Sequence, residues 1–450
     1  MNIAKRRFFT GILLCSLAIS LGACRAPDIQ QPLQTAAVRS PSRCSPEPSR
    51  VPDTPHLLSD LLASRPAKFR NILDNPGRYE VQILYTQINR DRENRPSFKE
   101  YVYRLNPRAY FNPASMVKLP VLCLALQKLN QLNIPGLDKS TRLTIGKQQA
   151  CQTAVSQDAT APGGRASIAH YIKKVLLVSD NDAYNRLYEF LGQAYIHENL
   201  RAMGYPDVRI IRRFCNCDYD ENRYTNPFFF YSDLGQLVYS QPQQVNLKPF
   251  VNPLPNLKRG RGYLDCRGRY TAEPYDYTYS NNLSLADVNT MLMAVLFPEA
   301  FPPHQRFGLT PDDYRFIRRY LCMLPGESGI SSYASKSKYP DNYKKYFVFG
   351  DAAGSRAGMR SGQMRIFNIV GQSDGYLSDC AYIADFECGI EFFLSAVIYV
   401  NSDQVLKDGR YEYDSVGMPF LAELGRTVYE YERDRRREFV PDLNRFKYNQ

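Results

Sequence analysis

The chain has 450 residues, of which 44% are hydrophobic and 23% are charged, and its formal net charge is +12. This apolar content excludes a wholly disordered protein and is sufficient for a large core. The excess of positive charge favours anionic partners such as lipid headgroups or cell-wall polymers. The sequence contains no recognised nucleic-acid-binding motif, so we expect no nucleic-acid partner.

The first 23 residues predict an export signal. Basic residues at 5–7 precede a short apolar run from 8 to 21, a pattern typical of a signal rather than a membrane span. Leu-Gly-Ala-Cys at 21–24 is similar to a bacterial lipobox, which implies cleavage before Cys24 and lipidation of its thiol. The alternative is an ordinary cleaved signal with an incidental cysteine. We therefore expect a periplasmic protein that is anchored by lipid to the inner or outer membrane.

Residues 24–55 are rich in Pro, Ser, Gln and Arg. Such a composition buries too little apolar surface to fold, and we interpret the segment as a flexible tether. The remaining residues, 56–450, form the predicted folded domain. This length exceeds that of most single domains and favours a lobed enzyme with insertions.

Nine cysteines remain besides Cys15 in the signal and Cys24 at the anchor. Export permits disulfides, but an odd number leaves at least one thiol unpaired within the chain. Cys215 and Cys217 suggest a metal site, yet the sequence has no second Cys/His pair at ligand spacing. We therefore expect no metal. Cys123, within an apolar helix, is interpreted as an inert core thiol.

Alternating patterns at 79–85 and 100–105 predict a β-hairpin with its turn at 91–96. The predicted helices are 115–129, 167–178, 183–191, 285–296, 312–324 and 416–435. The strands predicted after them are 365–371, 378–383 and 391–400. Residues 193–345 are interpreted as helical and loop-rich. This order predicts an α/β lobe, about 68–114 and 346–436, joined to an α lobe, about 115–345, with a ligand cleft between them.

Ser115 and Lys118 lie one helical turn apart on the same face of the first long apolar helix. The spacing places a hydroxyl within hydrogen-bond reach of an amine, which suits a serine nucleophile whose proton passes to a lysine. Taken alone, Ser115 fits the role of an ordinary residue at the N-terminus of a helix about as well as it fits the role of a nucleophile. A second Ser-x-x-Lys at 335–338 has no apolar helix behind it and is interpreted as a solvated loop.

Ser-Asp-Asn at 179–181 follows a predicted amphipathic helix. Ser179 supplies a second hydroxyl that can relay a proton, and Asn181 supplies an amide that can hold a substrate amide. Capping of the next helix is an alternative role for Ser179, and it is compatible with catalysis. Together with the earlier motif, this one predicts a catalytic site.

The pairing of Ser-x-x-Lys with Ser-Asp-Asn resembles the penicillin-recognising serine hydrolases, specifically their class A β-lactamase-like branch. The resemblance covers about residues 68–436. It implies an α/β, β-lactamase/transpeptidase-like fold, in which helices flank an antiparallel sheet and an all-α lobe is inserted. It also implies a cofactor-independent hydrolase that forms an acyl-enzyme at Ser115 with β-lactam or peptidoglycan-type amides. Lys118 would accept the proton, Ser179 would pass one to the leaving amine, and Asn181 would orient the substrate.

One departure from the family concerns the strand beside the nucleophile. Where the family has Lys-Thr/Ser-Gly, this chain has Ile369, Val370 and Gly371. Ile369 removes the cation that holds the substrate carboxylate in the family, and Val370 removes the adjacent hydroxyl. Arg365 lies on the same face but about 13 Å away along a strand, so it is a poor substitute.

The resemblance also implies that Gly371 gives backbone access and that the amides of Ser115 and Gln372 form an oxyanion hole. A second departure is that no Glu-Pro-x-Leu-Asn sequence occurs in the stretch 209–227, where class A enzymes carry their deacylation glutamate. Glu221 is a candidate base, and a solvated loop acid is the alternative. Without such a base the acyl-enzyme clears slowly, as in penicillin-binding proteins.

We therefore expect a lipid-anchored serine hydrolase. The alternative is a non-catalytic lipoprotein of the same fold that binds cell-wall fragments. The missing family lysine supports the alternative, whereas the retained catalytic set argues against it. The sequence does not predict the oligomeric state or the physiological substrate.

Overall fold

The computed structural model describes residues 54–215, 217–351 and 363–447. The predicted signal, the lipidation site at Cys24 and nearly all of the tether lie outside the described residues. No helix in the described part of the chain is long and apolar enough to cross a membrane.

The chain forms ten α-helices among the described residues, and most of their bounds follow the apolar patterns. They are α1 (Leu57–Ala63), α2 (Pro66–Leu73), α3 (Pro76–Tyr79), α4 (Lys118–Leu132), α5 (Ile168–Val178), α6 (Asn181–Leu191), α7 (Gln193–Ala202), α8 (Leu285–Leu296), α9 (Pro311–Cys322) and α10 (Met418–Asp434).

The described strands fall into one large sheet and several small ones. They are β1 (Gln82–Arg90), β2 (Pro96–Tyr103), β3 (Arg142–Ile145), β4 (Phe228–Tyr231), β5 (Leu237–Gln241), β6 (Lys258–Arg259), β7 (Gly262–Leu264), β8 (Tyr270–Thr271), β9 (Tyr275–Asp276), β10 (Met364–Ser373), β11 (Tyr376–Asp385), β12 (Ile390–Tyr399) and β13 (Val405–Leu406).

The large sheet has the strand order β10-β11-β12-β1-β2, and every neighbouring pair is antiparallel. Every residue of β11 and β12 is buried, because helices cover both faces of the sheet. Successive side chains of a strand point to opposite faces. Accordingly, Ile369 of β10 packs in one apolar cluster, with α4 and α8, and Val370 packs in the other, with α1 and α10.

This architecture confirms the predicted α/β fold class, an antiparallel sheet flanked by helices. The interpretation of 193–345 as helical and loop-rich was wrong in part, because this region also contains the six short strands β4 to β9. Each spans only two to five residues. Segments this short show too few alternating positions for a period of two to be recognised.

The cysteines are used mainly for packing and cross-linking. Cys151 and Cys217 form a disulfide with Cα atoms 5.3 Å apart, and Cys388 is also disulfide-bonded. Cys123 is a free, buried thiol, as expected for a core residue. Because Cys217 is oxidised, its sulfur is not available as a thiolate ligand for the metal site that the Cys215/Cys217 pair suggested.

Candidate active site

Ser115 lies on a short 3-10 turn, Ala114–Val117, which leads directly into α4. The turn begins with Ala114 at φ +44°, an uncommon conformation for a residue with a side chain. The Asn112 side chain holds this conformation, because its Oδ1 accepts the Ala114 N–H at 3.0 Å. Ser115 is partly exposed, whereas its neighbours on the turn are buried. A hydroxyl at this position is therefore accessible to a ligand.

Lys118 is the first residue of α4, and its side chain is fully buried. Its Nζ donates to the Ser179 carbonyl oxygen at 2.6 Å, to Ser179 Oγ at 3.0 Å and to Asn181 Oδ1 at 2.7 Å. Burial, together with the positive charge of Lys344, lowers the pKa of Lys118 to about 7. The charged form, with three N–H groups, can donate all three hydrogen bonds, whereas near neutral pH a substantial fraction of the amine has lost one proton and is able to accept another.

The structure brings Lys118, Ser179 and Asn181 together, but the Lys118 amine is directed at the Ser-Asp-Asn motif rather than at Ser115. Ser115 Oγ makes no hydrogen bond with any described residue, so the expected contact between hydroxyl and amine is not formed. The reason is that a buried amine needs its donors satisfied, and three acceptors lie on the Ser-Asp-Asn side. Hydrogen bonds of this kind are often long in an unliganded enzyme and tighten with substrate.

Ser179 is not the cap of the following helix, contrary to the alternative considered above. Asp180 is the N-cap residue of α6, and its Oδ1 accepts the Ala183 N–H at 2.8 Å. Ser179 instead ends α5 in a left-handed conformation, at φ +56°. This conformation breaks the helix and leaves the Ser179 hydroxyl and carbonyl beside Lys118.

The edge strand β10 lies directly against the 3-10 turn Ala114–Val117. A Cβ atom at Gly371 would lie 2.6 Å from the Pro113 carbonyl oxygen and 2.6 Å from Ser378 Oγ. Only glycine therefore allows the strand to approach this closely. The next residue, Gln372, is exposed and accepts a hydrogen bond from Tyr346 Oη at 3.1 Å. The predicted partners of the oxyanion hole thus lie on adjoining elements.

We predict that Gly371→Ala separates β10 from the turn Ala114–Val117. The added methyl group should lower the free energy of unfolding by about 1–3 kcal/mol through overpacking. A displacement of about 1 Å should also slow acylation about 100-fold. Urea unfolding and stopped-flow acylation by a chromogenic lactam measure the two effects. Gly77→Ala is the control, because a Cβ there meets no atom within 4 Å. Equal behaviour of the two variants would contradict the close approach.

No side chain at positions 365, 369 or 370 of β10 can replace the lysine that the family carries on this strand. Ile369 and Val370 are both buried in apolar clusters. Arg365 makes a two-pronged ion pair with Glu327, with both N–O distances 2.9 Å. The pair commits the Arg365 guanidinium to a structural role, consistent with its being a poor substitute.

Glu221 is used within its own loop. Its Oε2 accepts the Asp218 N–H at 2.8 Å, and its N–H donates to Asp218 Oδ1 at 2.7 Å. It does not line the cavity described next. The Glu221 carboxylate is therefore engaged in the turn of its own loop.

A cavity of about 770 Å³ opens next to the turn Ala114–Val117, with Asn112 and Gln372 in its wall. Its described lining residues are mostly basic or aromatic, and the only carboxylate among them is Asp374. That carboxylate accepts hydrogen bonds from Asn112 Nδ2 at 3.0 Å and from Tyr277 Oη at 2.9 Å. The basic residues in the wall are Arg212, Arg213, Lys344 and Lys407, and the aromatic ones are Phe214, Tyr275, Tyr277, Tyr411 and Tyr413.

Sequence reasoning missed Asn112, Phe214, Lys344 and Asp374 in this site. Phe214 packs with its ring centroid 5.1 Å from Lys118 Nζ, which adds to the burial of that amine. None of these residues has a local sequence signal. Their roles depend on contacts between segments that are far apart in the chain.

The model of the Beta-lactamase enzyme family matches residues 66–245, which include Ser115, Lys118, Ser179 and Asn181. This match confirms the resemblance to β-lactamase-like serine hydrolases over that part of the chain. No curated protein matches the sequence.

Several solved structures are similar at low identity. The β-lactamase from Desulfarculus baarsii is 14% identical, with 84% of this chain and 98% of that one covered and a TM-score of 0.45. An ancestral class A β-lactamase is 15% identical, with coverages of 83% and 99% and a TM-score of 0.43. A PBP-A variant, solved as an acyl-enzyme with penicillin G, is 13% identical, with coverages of 83% and 96% and a TM-score of 0.44.

Proposed function

We propose that the protein is a lipid-anchored serine hydrolase that forms an acyl-enzyme at Ser115 with β-lactam or peptidoglycan-type amides. The observation that carries the proposal is the position of Lys118, a buried amine with a pKa of about 7 that is bonded to Ser179 and Asn181. A lysine in this state is suited to proton transfer rather than to an ion pair. The disulfide between Cys151 and Cys217 supports export to an oxidising compartment.

The proposed reaction begins when Ser115 Oγ attacks the substrate carbonyl carbon and its proton passes to the neutral Lys118 amine. The N–H groups of Ser115 and Gln372 stabilise the oxyanion that forms. Lys118 then transfers the proton through Ser179 Oγ, 3.0 Å from Nζ, to the leaving nitrogen as the C–N bond breaks. Asn181 orients the substrate amide. The product of this half-reaction is an ester between Ser115 and the acyl group.

The acyl-enzyme is expected to be long-lived, because the Glu221 carboxylate is engaged in its own turn. The protein then resembles a penicillin-binding protein in its kinetics rather than a fast β-lactamase. Incubation of the exported, folded protein with a fluorescent penicillin, followed by intact-mass measurement over time, tests this prediction. We expect a stoichiometric mass gain that persists for minutes or longer. A mass gain that disappears within seconds would identify a fast lactamase, and reversible binding without a mass gain would identify a non-catalytic binder.

A further inference from the structure

Lys344 lies at the junction of two recesses next to the candidate active site. It lines the large cavity, and it also lines a smaller recess that contains Ser179, Ile369 and Val370. Ile369 and Val370 are the positions at which the sequence lacks the lysine and hydroxyl of the family motif. A lysine from a different segment of the chain is therefore adjacent to the strand positions that lost the cation.

Hydrogen bonds of Lys345 and of the Lys344 carbonyl group hold the segment that carries Lys344 against β10. The buried Lys345 amine donates to the carbonyl oxygens of Leu321 and Ile366, each at 2.8 Å, and to Asn368 Oδ1 at 2.6 Å. Asn368 Nδ2 in turn donates to the Lys344 carbonyl oxygen at 2.8 Å. These bonds fix the Lys344 backbone in a left-handed conformation, at φ +57°.

The residue that follows Lys345 is also anchored. The Tyr346 N–H donates to Asp379 Oδ2 at 3.1 Å, and its hydroxyl donates to Gln372 Oε1 at 3.1 Å. The second bond connects the segment to the side chain of Gln372, the residue whose backbone N–H is assigned to the oxyanion hole. The backbone of Lys344 is thus held in place next to Gln372.

The charge of Lys344 is not neutralised within the described part of the chain. Its Nζ donates to Tyr346 Oη at 3.3 Å and lies near the rings of Tyr343 and Tyr346, but no described carboxylate pairs with it. Asp374, the described carboxylate of the cavity, is bonded to Asn112 and Tyr277 instead. Burial lowers the pKa of Lys344 and makes the unpaired cation costly. An anionic ligand group would remove that cost.

We propose that Lys344 binds the carboxylate of the substrate and is the specificity-determining cation of this site, in place of a lysine on β10. The inference rests on the proposed function and defines its substrate class as amides that carry a free carboxylate near the scissile bond. A charge-assisted hydrogen bond of this kind would make acylation by the free acid about ten- to a hundredfold faster than acylation by the same substrate with its carboxylate masked.

The test compares benzylpenicillin with its methyl ester as acylating agents of the full folded protein. The second-order acylation constants are measured at pH 8, where Lys118 is largely neutral, rather than at a higher pH at which the lowered pKa of Lys344 would remove its charge. We expect wild type to prefer the acid by about tenfold or more. Lys344→Met should lower the constant for the acid about 10- to 100-fold and change the constant for the ester less than about twofold. Lys344→Arg should retain much of the preference, because the charge is kept.

Lys407→Met is the matched control, because Lys407 lines the same cavity but is placed 3.7 Å from the Tyr275 ring centroid. We expect it to leave the preference for the acid intact. An equal loss in Lys407→Met would attribute the preference to the summed charge of the cavity and overturn the assignment to Lys344. Equal losses for acid and ester in Lys344→Met would show a structural role and overturn it as well.

The wild-type measurement keeps the proposal testable if Lys344→Met does not fold. A wild-type protein that reacts equally with acid and ester would overturn the Lys344 assignment while leaving the acyl-enzyme function intact. A wild-type protein that reacts with neither would contradict the proposed function itself.

Discussion

Ser115→Ala is expected to abolish covalent labelling by penicillin, because the variant lacks the oxygen that bonds to the acyl carbon. The loss should be about 1,000-fold or more in acylation rate, and no mass gain should be detectable by intact-mass spectrometry. The fold should be unaffected. Ser115 Oγ makes no hydrogen bond with a described residue, so its removal should change the free energy of unfolding by less than about 0.5 kcal/mol.

The second Ser-x-x-Lys sequence provides the control. Ser335 is exposed, and its hydroxyl hydrogen-bonds Ser337 Oγ at 3.0 Å, while Lys336 pairs with Asp341. Ser335→Ala should therefore label as wild type does. Label retained in Ser115→Ala, and located on another residue by peptide mapping, would contradict the assignment of the nucleophile.

The sequence predicted elements well where the pattern was long and its end was marked. Helix 285–296 was predicted with the bounds that α8 has, because its apolar run follows Ser284, whose hydroxyl accepts the Asp287 N–H at 3.0 Å. The strands β10, β11 and β12 were each predicted within two residues at either end. A buried strand is a continuous apolar segment that a single sequence can show.

The site was predictable only in part. The resemblance of the two motifs to those of the penicillin-recognising serine hydrolases implied that Lys118, Ser179 and Asn181 lie near one another, and the structure places them in hydrogen-bond contact. The direction of the Lys118 amine was not predictable, because it depends on which acceptors surround a buried group. Lys344 was not predictable either, since its position depends on bonds to Asn368, 24 residues away in the chain.

Acylation by the methyl ester of benzylpenicillin, which does not depend on the charge of Lys344, is expected to rise with pH through about 7 and to level off above it. Burial disfavours the charged form of Lys118, which lowers its pKa to about 7 from the usual 10.5. Below this pH the amine holds its proton and cannot accept another from Ser115. Lys118→Met should reduce the acylation rate about 100- to 10,000-fold and remove the inflection. Stopped-flow acylation from pH 5 to 9.5 measures both effects.

Lys128→Met is the control for Lys118→Met, because Lys128 is a second buried lysine of α4 that we do not expect to accept the proton of Ser115. Lys128 is also buried in α4, and burial lowers its pKa to about 8, but its amine donates to the Phe190 carbonyl oxygen at 2.6 Å and to Gln241 Oε1 at 2.7 Å. These partners lie outside the candidate site. Lys128→Met should therefore lower stability yet retain the inflection near pH 7. If the inflection disappears in Lys128→Met and survives in Lys118→Met, Lys118 is not the group that takes the proton from Ser115.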